Sequence, residues 1–119
     1  MLISRGEVWL VRLDPIEGHE QGKIRPCVIL SSDFINHVLN LSTIVPFTGT
    51  PVLLKSGKLS PLMVAVDPPD GGLKKVSYSM AHQARSVSHA RFIQKLGNLS
   101  DEKLAAIVNS VQDTIGADE

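Results

Sequence analysis

From Ser100 onward the apolar period of the chain changes, and that change divides the molecule into two parts. Leu104, Ile107, Val108, Val111 and Ile115 recur on one face at helical spacing. Ser100 is placed to cap the start of this helix, Asp101 and Glu102 suit its positive end, and Gly116 can stop it. Upstream the apolar runs are short and cut by proline and glycine. The run Glu7 to Leu13 is rich in β-formers and ends at Asp14-Pro15, so it predicts a first strand. Cys27 to Leu30 is uniformly apolar, which predicts a strand buried on both faces, with Pro26 at its start where a missing donor does least harm. Ser42 to Thr48 predicts a third strand, with Pro46 implying a bulge or an edge. Further strand-like runs lie at Val52 to Leu54, Leu62 to Val66 and Val76 to Val87, separated by turns such as Pro68-Pro69-Asp70-Gly71-Gly72. Asp33 to Asn40 predicts one or two helical turns. Five or six short strands closed by one amphipathic helix belong to the α+β class, as a small antiparallel barrel or curled sheet.

The 119 residues, 43% of them hydrophobic, suffice for one cored domain spanning 1–119 and are too few for two ordinary ones. The single cysteine, Cys27, rules out an intramolecular disulfide and suits a reducing compartment; its apolar surroundings predict a buried filler. The N-terminal residues carry no basic stretch followed by a long apolar core, and no apolar run reaches the length of a membrane span, so a cytoplasmic protein without a membrane partner is expected. Net charge is zero, yet unevenly spread. Residues 1–96 hold eleven Lys and Arg against seven Asp and Glu, and residues 97–119 hold one against five. A basic body of this kind attracts phosphates even when the whole chain is neutral.

Several chemistries are poorly supported. His19, His37, His82 and His89 have no ligand partner at helical spacing, so neither a metal nor another cofactor is expected. No Walker-type loop occurs, and no serine sits in a Gly-x-Ser-x-Gly elbow. Hydrolytic chemistry here must act on a bond that supplies its own nucleophile. RNA is such a substrate, because its 2′-hydroxyl can attack the neighbouring phosphate.

The segment Gly18-His19-Glu20-Gln21-Gly22-Lys23-Ile24-Arg25-Pro26 gathers an imidazole, a carboxylate, an amide, an ammonium and a guanidinium within nine residues. With Arg5-Gly6-Glu7-Val8-Trp9 and Leu13-Asp14-Pro15 before it, it closely resembles the MazF/PemK family of toxin ribonucleases. The likeness continues through Thr43 to Thr48, Gln83-Ala84-Arg85-Ser86-Val87 and the C-terminal helix. The resemblance implies an SH3-like barrel, a homodimer, and an endonuclease for short single-stranded RNA sequences that a cognate antitoxin holds inactive with an acidic segment. It carries catalytic roles to Arg25 and Thr48. A guanidinium can hold two phosphate oxygens and a hydroxyl can donate to the same oxyanion. Glu20 matches a carboxylate that accepts a proton or orients the arginine. His19, Gln21, Lys23, Gln83 and Arg85 are read as substrate-binding. Trp9 and Phe47 could stack bases, but their place in strands predicts core positions.

The chain departs from several relatives at His82, where a carboxylate often precedes the matching glutamine. A neutral imidazole there can take a proton near neutral pH or contact substrate, so the acceptor is left open among Glu20, His19 and His82. Two other readings compete. A gyrase-poison toxin of similar fold acts by binding and depends on a Trp-Gly-Ile C-terminus, whereas this chain ends Ile115-Gly116-Ala117-Asp118-Glu119 and has its only tryptophan at Trp9. A degenerate binding module is the other, and retention of both Arg25 and Thr48 argues against it.

Overall fold

The computed structural model describes residues 2–13 and 23–117. In chain order the elements are β1 (Glu7–Leu13), β2 (Lys23–Ile29), α1 (Asp33–Val38), β3 (Leu41–Thr48), β4 (Ala65–Val66), β5 (Ser77–Ser79), β6 (Arg85–Ser88), β7 (Phe92–Asn98) and α2 (Asp101–Ile115), with 3-10 turns at Asp70–Gly72, Ala81–Gln83 and His89–Arg91. All pairings are antiparallel, in the order β4-β5-β3-β2-β1-β7, and β6 also pairs with β3. β3 is the pivot. One side of it pairs with β2, while the other pairs with β6 along Leu41 to Ile44 and then with β5 along Phe47 and Thr48. Pro46 lies where this change of partner occurs, so its missing N–H breaks no ladder, and its carbonyl accepts from the Met80 N–H at 2.9 Å. The result is a curled antiparallel sheet, a half-barrel with a C-terminal helix, in the α+β class.

Strand alternation gives each face its own core. On the first face Trp9, Val11, Leu13, Cys27, Ile29, Ile44, Val87 and Phe92 cluster with Ile3. Trp9 and Phe92 meet edge to face at 5.8 Å. On the second face Val8, Val28, Val45, Phe47 and Val66 pack with Ile107 of α2, joined by Leu104 and Val111. Helix α2 has the expected caps: the Ser100 hydroxyl accepts from the Lys103 N–H, and Gly116 adopts a left-handed conformation at φ 69°. Ser100 in turn donates its N–H and hydroxyl to Asp70, which fastens the helix start to the 3-10 turn Asp70–Gly72. That turn needs its glycines, because a Cβ on Gly72 would lie 2.0 Å from the Leu96 carbonyl oxygen of β7.

Several expectations are corrected. β2 begins at Lys23 rather than after Pro26, and Pro26 pairs with Leu10 inside it. The register with β3 starts only at Cys27, so the proline occupies a stretch of β2 that has a single strand neighbour. The run Val76 to Val87 is not one strand but β5, a 3-10 turn and β6, divided where β3 changes partner. Val52 to Leu54 forms no named strand, only a bridge between Leu53 and Leu59, and the strand within Leu62 to Val66 is confined to Ala65–Val66. β7 has no counterpart in the sequence reading, and it brings the strands among the described residues to seven instead of five or six. Ile115 is 71% exposed and does not share the buried face of α2.

Candidate functional site

Directly opposed residues of an antiparallel pair share a face, and so do residues two apart on a strand. Lys23 opposes Leu13 and Arg25 opposes Val11, so both belong to the first face with Cys27 and Ile29. Thr48 continues the row Ile44–Pro46 on β3, and Arg85 opposes Ile44 from β6. Four residues singled out in the sequence, Lys23, Arg25, Thr48 and Arg85, therefore come to one face of the sheet, beyond the end of its apolar core.

Arg25 is half-buried and donates from Nη1 to the Phe47 carbonyl oxygen at 3.4 Å, which ties it to the end of β3. The half-buried Thr48 accepts at Oγ1 from the Thr50 N–H at 3.2 Å, so its hydroxyl proton remains available to a ligand. Beneath them Cys27 is fully buried and its thiol donates to the Arg25 carbonyl at 3.5 Å. Burial pushes this thiol up to about 12, against the opposing pull of both Arg25 and Arg85. Cys27 is thus an inert filler, as expected.

The other sequence candidates fall as follows. His82 and Gln83 are exposed in the 3-10 turn between β5 and β6. His19, Glu20 and Gln21 lie outside the described residues. Trp9, 7% exposed, and Phe47, 1% exposed, are core side chains. Trp9 donates from Nε1 to Glu7 Oε1 at 3.0 Å, and Lys95 Nζ lies 2.9 Å from Glu7 Oε2. Burial raises the Glu7 carboxyl, but bonds from Lys95, Trp9 and the Ser4 N–H outweigh it and hold the group below its ordinary value. One residue of the face was not anticipated: Tyr78 of β5 opposes Thr48 directly.

A cleft of about 630 Å³ lies beside this face, walled by Leu10, Ile24, Pro26, Lys74, Lys75 and Gln94 among others. By register Leu10, Ile24, Pro26 and Gln94 belong to the second face, so Arg25 and Thr48 border this cleft where their strands end rather than lying at its centre. Arg25 and Thr48 are thus among the residues that line the cleft, with Lys74 and Lys75 adding two further cationic groups. Among the described residues no three His, Cys, Asp or Glu side chains gather where they could hold a metal ion. No helix among them is long and apolar enough to cross a membrane.

Comparison with known proteins gives a consistent answer. An endoribonuclease MazF of Staphylococcus saprophyticus is 31% identical over 115 residues, 97% of this chain and 92% of the relative. A crystal structure of MazF from Deinococcus radiodurans matches with a TM-score of 0.78 at 24% identity, covering 98% of both chains. An endoribonuclease from Mycobacterial species, solved in complex with its cognate antitoxin, matches with a TM-score of 0.76 at 21% identity, covering 96% of this chain and 95% of that one. The family model for the PemK-like, MazF-like toxin of type II toxin-antitoxin systems matches residues 4–115, and the chain belongs to this family.

Proposed function

We propose that the protein is a sequence-specific, metal-independent endoribonuclease that cuts single-stranded RNA, mRNA included, and is held inactive in the cytoplasm by a cognate antitoxin. The observation that carries this reading is the convergence of Arg25, Thr48, Arg85 and Lys23 on one face of β2, β3 and β6, in a chain of this toxin family. Three cationic groups and a hydroxyl on one surface match the needs of a phosphodiester.

In this mechanism the Arg25 guanidinium holds the non-bridging oxygens of the scissile phosphate, and the Thr48 hydroxyl donates to the same group as charge builds in the transition state. The ribose 2′-hydroxyl attacks phosphorus, the bond to the 5′-oxygen breaks, and the products are a 2′,3′-cyclic phosphate and a 5′-hydroxyl. An acceptor drawn from Glu20, His19 and His82 takes the 2′ proton, and the departing 5′-oxygen takes a proton from water. Lys23, Gln21, Gln83 and Arg85 hold the flanking nucleotides. Long single-stranded RNA incubated with the protein in EDTA is expected to yield such ends at a restricted set of sites. Activity abolished by EDTA and restored by Mg²⁺ would overturn the mechanism.

A homodimer belongs to the same reading. Its support is the apolar surface that α1 leaves uncovered at Phe34, Val38 and Leu39. Light scattering at micromolar concentration should give twice the chain mass of 12.9 kDa. A fully active monomer would count against it.

A further inference from the structure

Single-stranded RNA recognition calls for an aromatic surface on which a base can lie. The chain has five aromatic residues, Trp9, Phe34, Phe47, Tyr78 and Phe92. Trp9, Phe47 and Phe92 are buried in the two cores, and Phe34 stands on α1 at 72% exposure. Tyr78 alone falls in the row of Thr48. It opposes Thr48 across the β3–β5 pair and Ala65 across the β4–β5 pair. Opposed side chains on neighbouring strands have Cβ atoms about 4.5–5.5 Å apart, so the ring begins next to the Thr48 hydroxyl. Its two flanking side chains, Ala65 and Thr48, are both short, and Tyr78 itself is only half-buried. A phenol ring reaches well beyond a threonine hydroxyl. It therefore stands beside the position of a phosphate held by Thr48 and Arg25, where the nucleoside of that phosphate must lie.

We infer that Tyr78 is a substrate-binding residue whose ring is the platform for the nucleobase adjoining the scissile phosphate. This rests on the proposed ribonuclease reading of the same face and adds to it a determinant of affinity and of base preference. Stacking depends on the ring and not on the hydroxyl, which separates it from a proton-donating role.

The test compares Tyr78→Leu with Tyr78→Phe, using a single-stranded RNA that contains the mapped cleavage site and a 2′-O-methyl analogue that cannot be cut. Tyr78→Leu should weaken binding of the analogue by about tenfold, the order expected for losing one stacked base. It should raise KM by more than it lowers kcat and relax the base preference beside the cut. Tyr78→Phe should restore both affinity and preference. A crosslink between Tyr78 and a 5-iodouridine placed beside the scissile phosphate, located by mass spectrometry in the wild-type protein, is the expected companion result and does not depend on a folded variant. Wild-type affinity and cleavage pattern in Tyr78→Leu, or equal losses in the Leu and Phe variants, would overturn the platform while leaving the ribonuclease reading intact. Binding without any cleavage by the wild type would sink the ribonuclease reading, and the binding comparison would still decide the role of Tyr78. Failure of the wild type to bind RNA would refute both.

Discussion

The first face of the sheet has two ends, and both gather polar side chains. At the α1 end, Asn36 of α1, Ser42 of β3 and His89 of the 3-10 turn before β7 are all buried. The Ser42 hydroxyl donates to Asn36 Oδ1 at 2.7 Å and stands 2.8 Å from His89 Nε2, while Ser31 donates to the same Asn36 oxygen. Asn36 Nδ2 donates in turn to the Ser31 carbonyl at 3.0 Å, and the Ser31 hydroxyl accepts from the Thr43 N–H at 2.9 Å. A serine beside a histidine resembles hydrolytic machinery, but here every group is consumed by another and Ser42 is fully buried. At the other end Arg25 and Thr48 are half-buried, and the hydroxyl proton of Thr48 is left to spare. Polar groups that complete one another hold a fold together; polar groups left incomplete at a surface are the ones that bind.

Substitutions that strike one end and spare the other test this contrast. The largest effect should come from Arg25→Ala, with turnover reduced by about 10² to 10³-fold, the loss typical of one strong oxyanion donor. Its melting temperature should stay near wild type, and binding of uncleavable RNA should weaken less than catalysis. Single-turnover cleavage beside thermal denaturation checks both parts. Thr48→Ala should give a smaller loss in the same assay. Asn36→Ala should do the reverse. Leaving Ser31 and Ser42 without the amide oxygen they share should cost about 1–3 kcal/mol of stability, measured by urea unfolding, while the folded fraction cuts RNA at the wild-type rate.

A subtler contrast is in pH. Burial, with His37 nearby, holds the His89 imidazole below its ordinary value of 6.5, so the folded protein resists the proton that the unfolded chain accepts. Protein stability should therefore be flat above about pH 6.5 and decline as pH falls below it, since the unfolded state binds the proton first. His89→Gln should flatten that limb in pH-dependent unfolding. His82 stands exposed in the turn at Ala81–Gln83, apart from this buried cluster. If its imidazole accepts the 2′ proton, His82→Ala should instead remove the acid limb of the cleavage rate.

Much of the fold was legible because it rests on local pattern. The caps of α2, the first strand, the buried run Cys27 to Ile29 and the short α1 follow from spacing and residue type alone. β7 was not, because Ile93, Gln94 and Lys95 are all exposed within Phe92–Asn98 and give no alternation to read. The division of Val76 to Val87 was equally hidden, since it follows from β3 changing partners and not from any breaker within the run. The site shows the same limit. Arg25, Thr48 and Arg85 were found through the family pattern, and their common face became visible only with the register. Tyr78 could not be found that way: its place opposite Thr48 joins residues thirty positions apart. The feature that could have pointed to it was its status as the only tyrosine in a chain poor in aromatics.

Amide chemical shifts recorded while a 2′-O-methyl RNA is titrated into the isotope-labelled protein test directly which end of the face holds RNA. The predicted result is perturbation centred on Arg25, Phe47 to Gly49, Tyr78 and Arg85, with Asn36, Ser42 and His89 unmoved. Shifts confined to Asn36, Ser42 and His89, with none at Arg25 or Thr48, would contradict it.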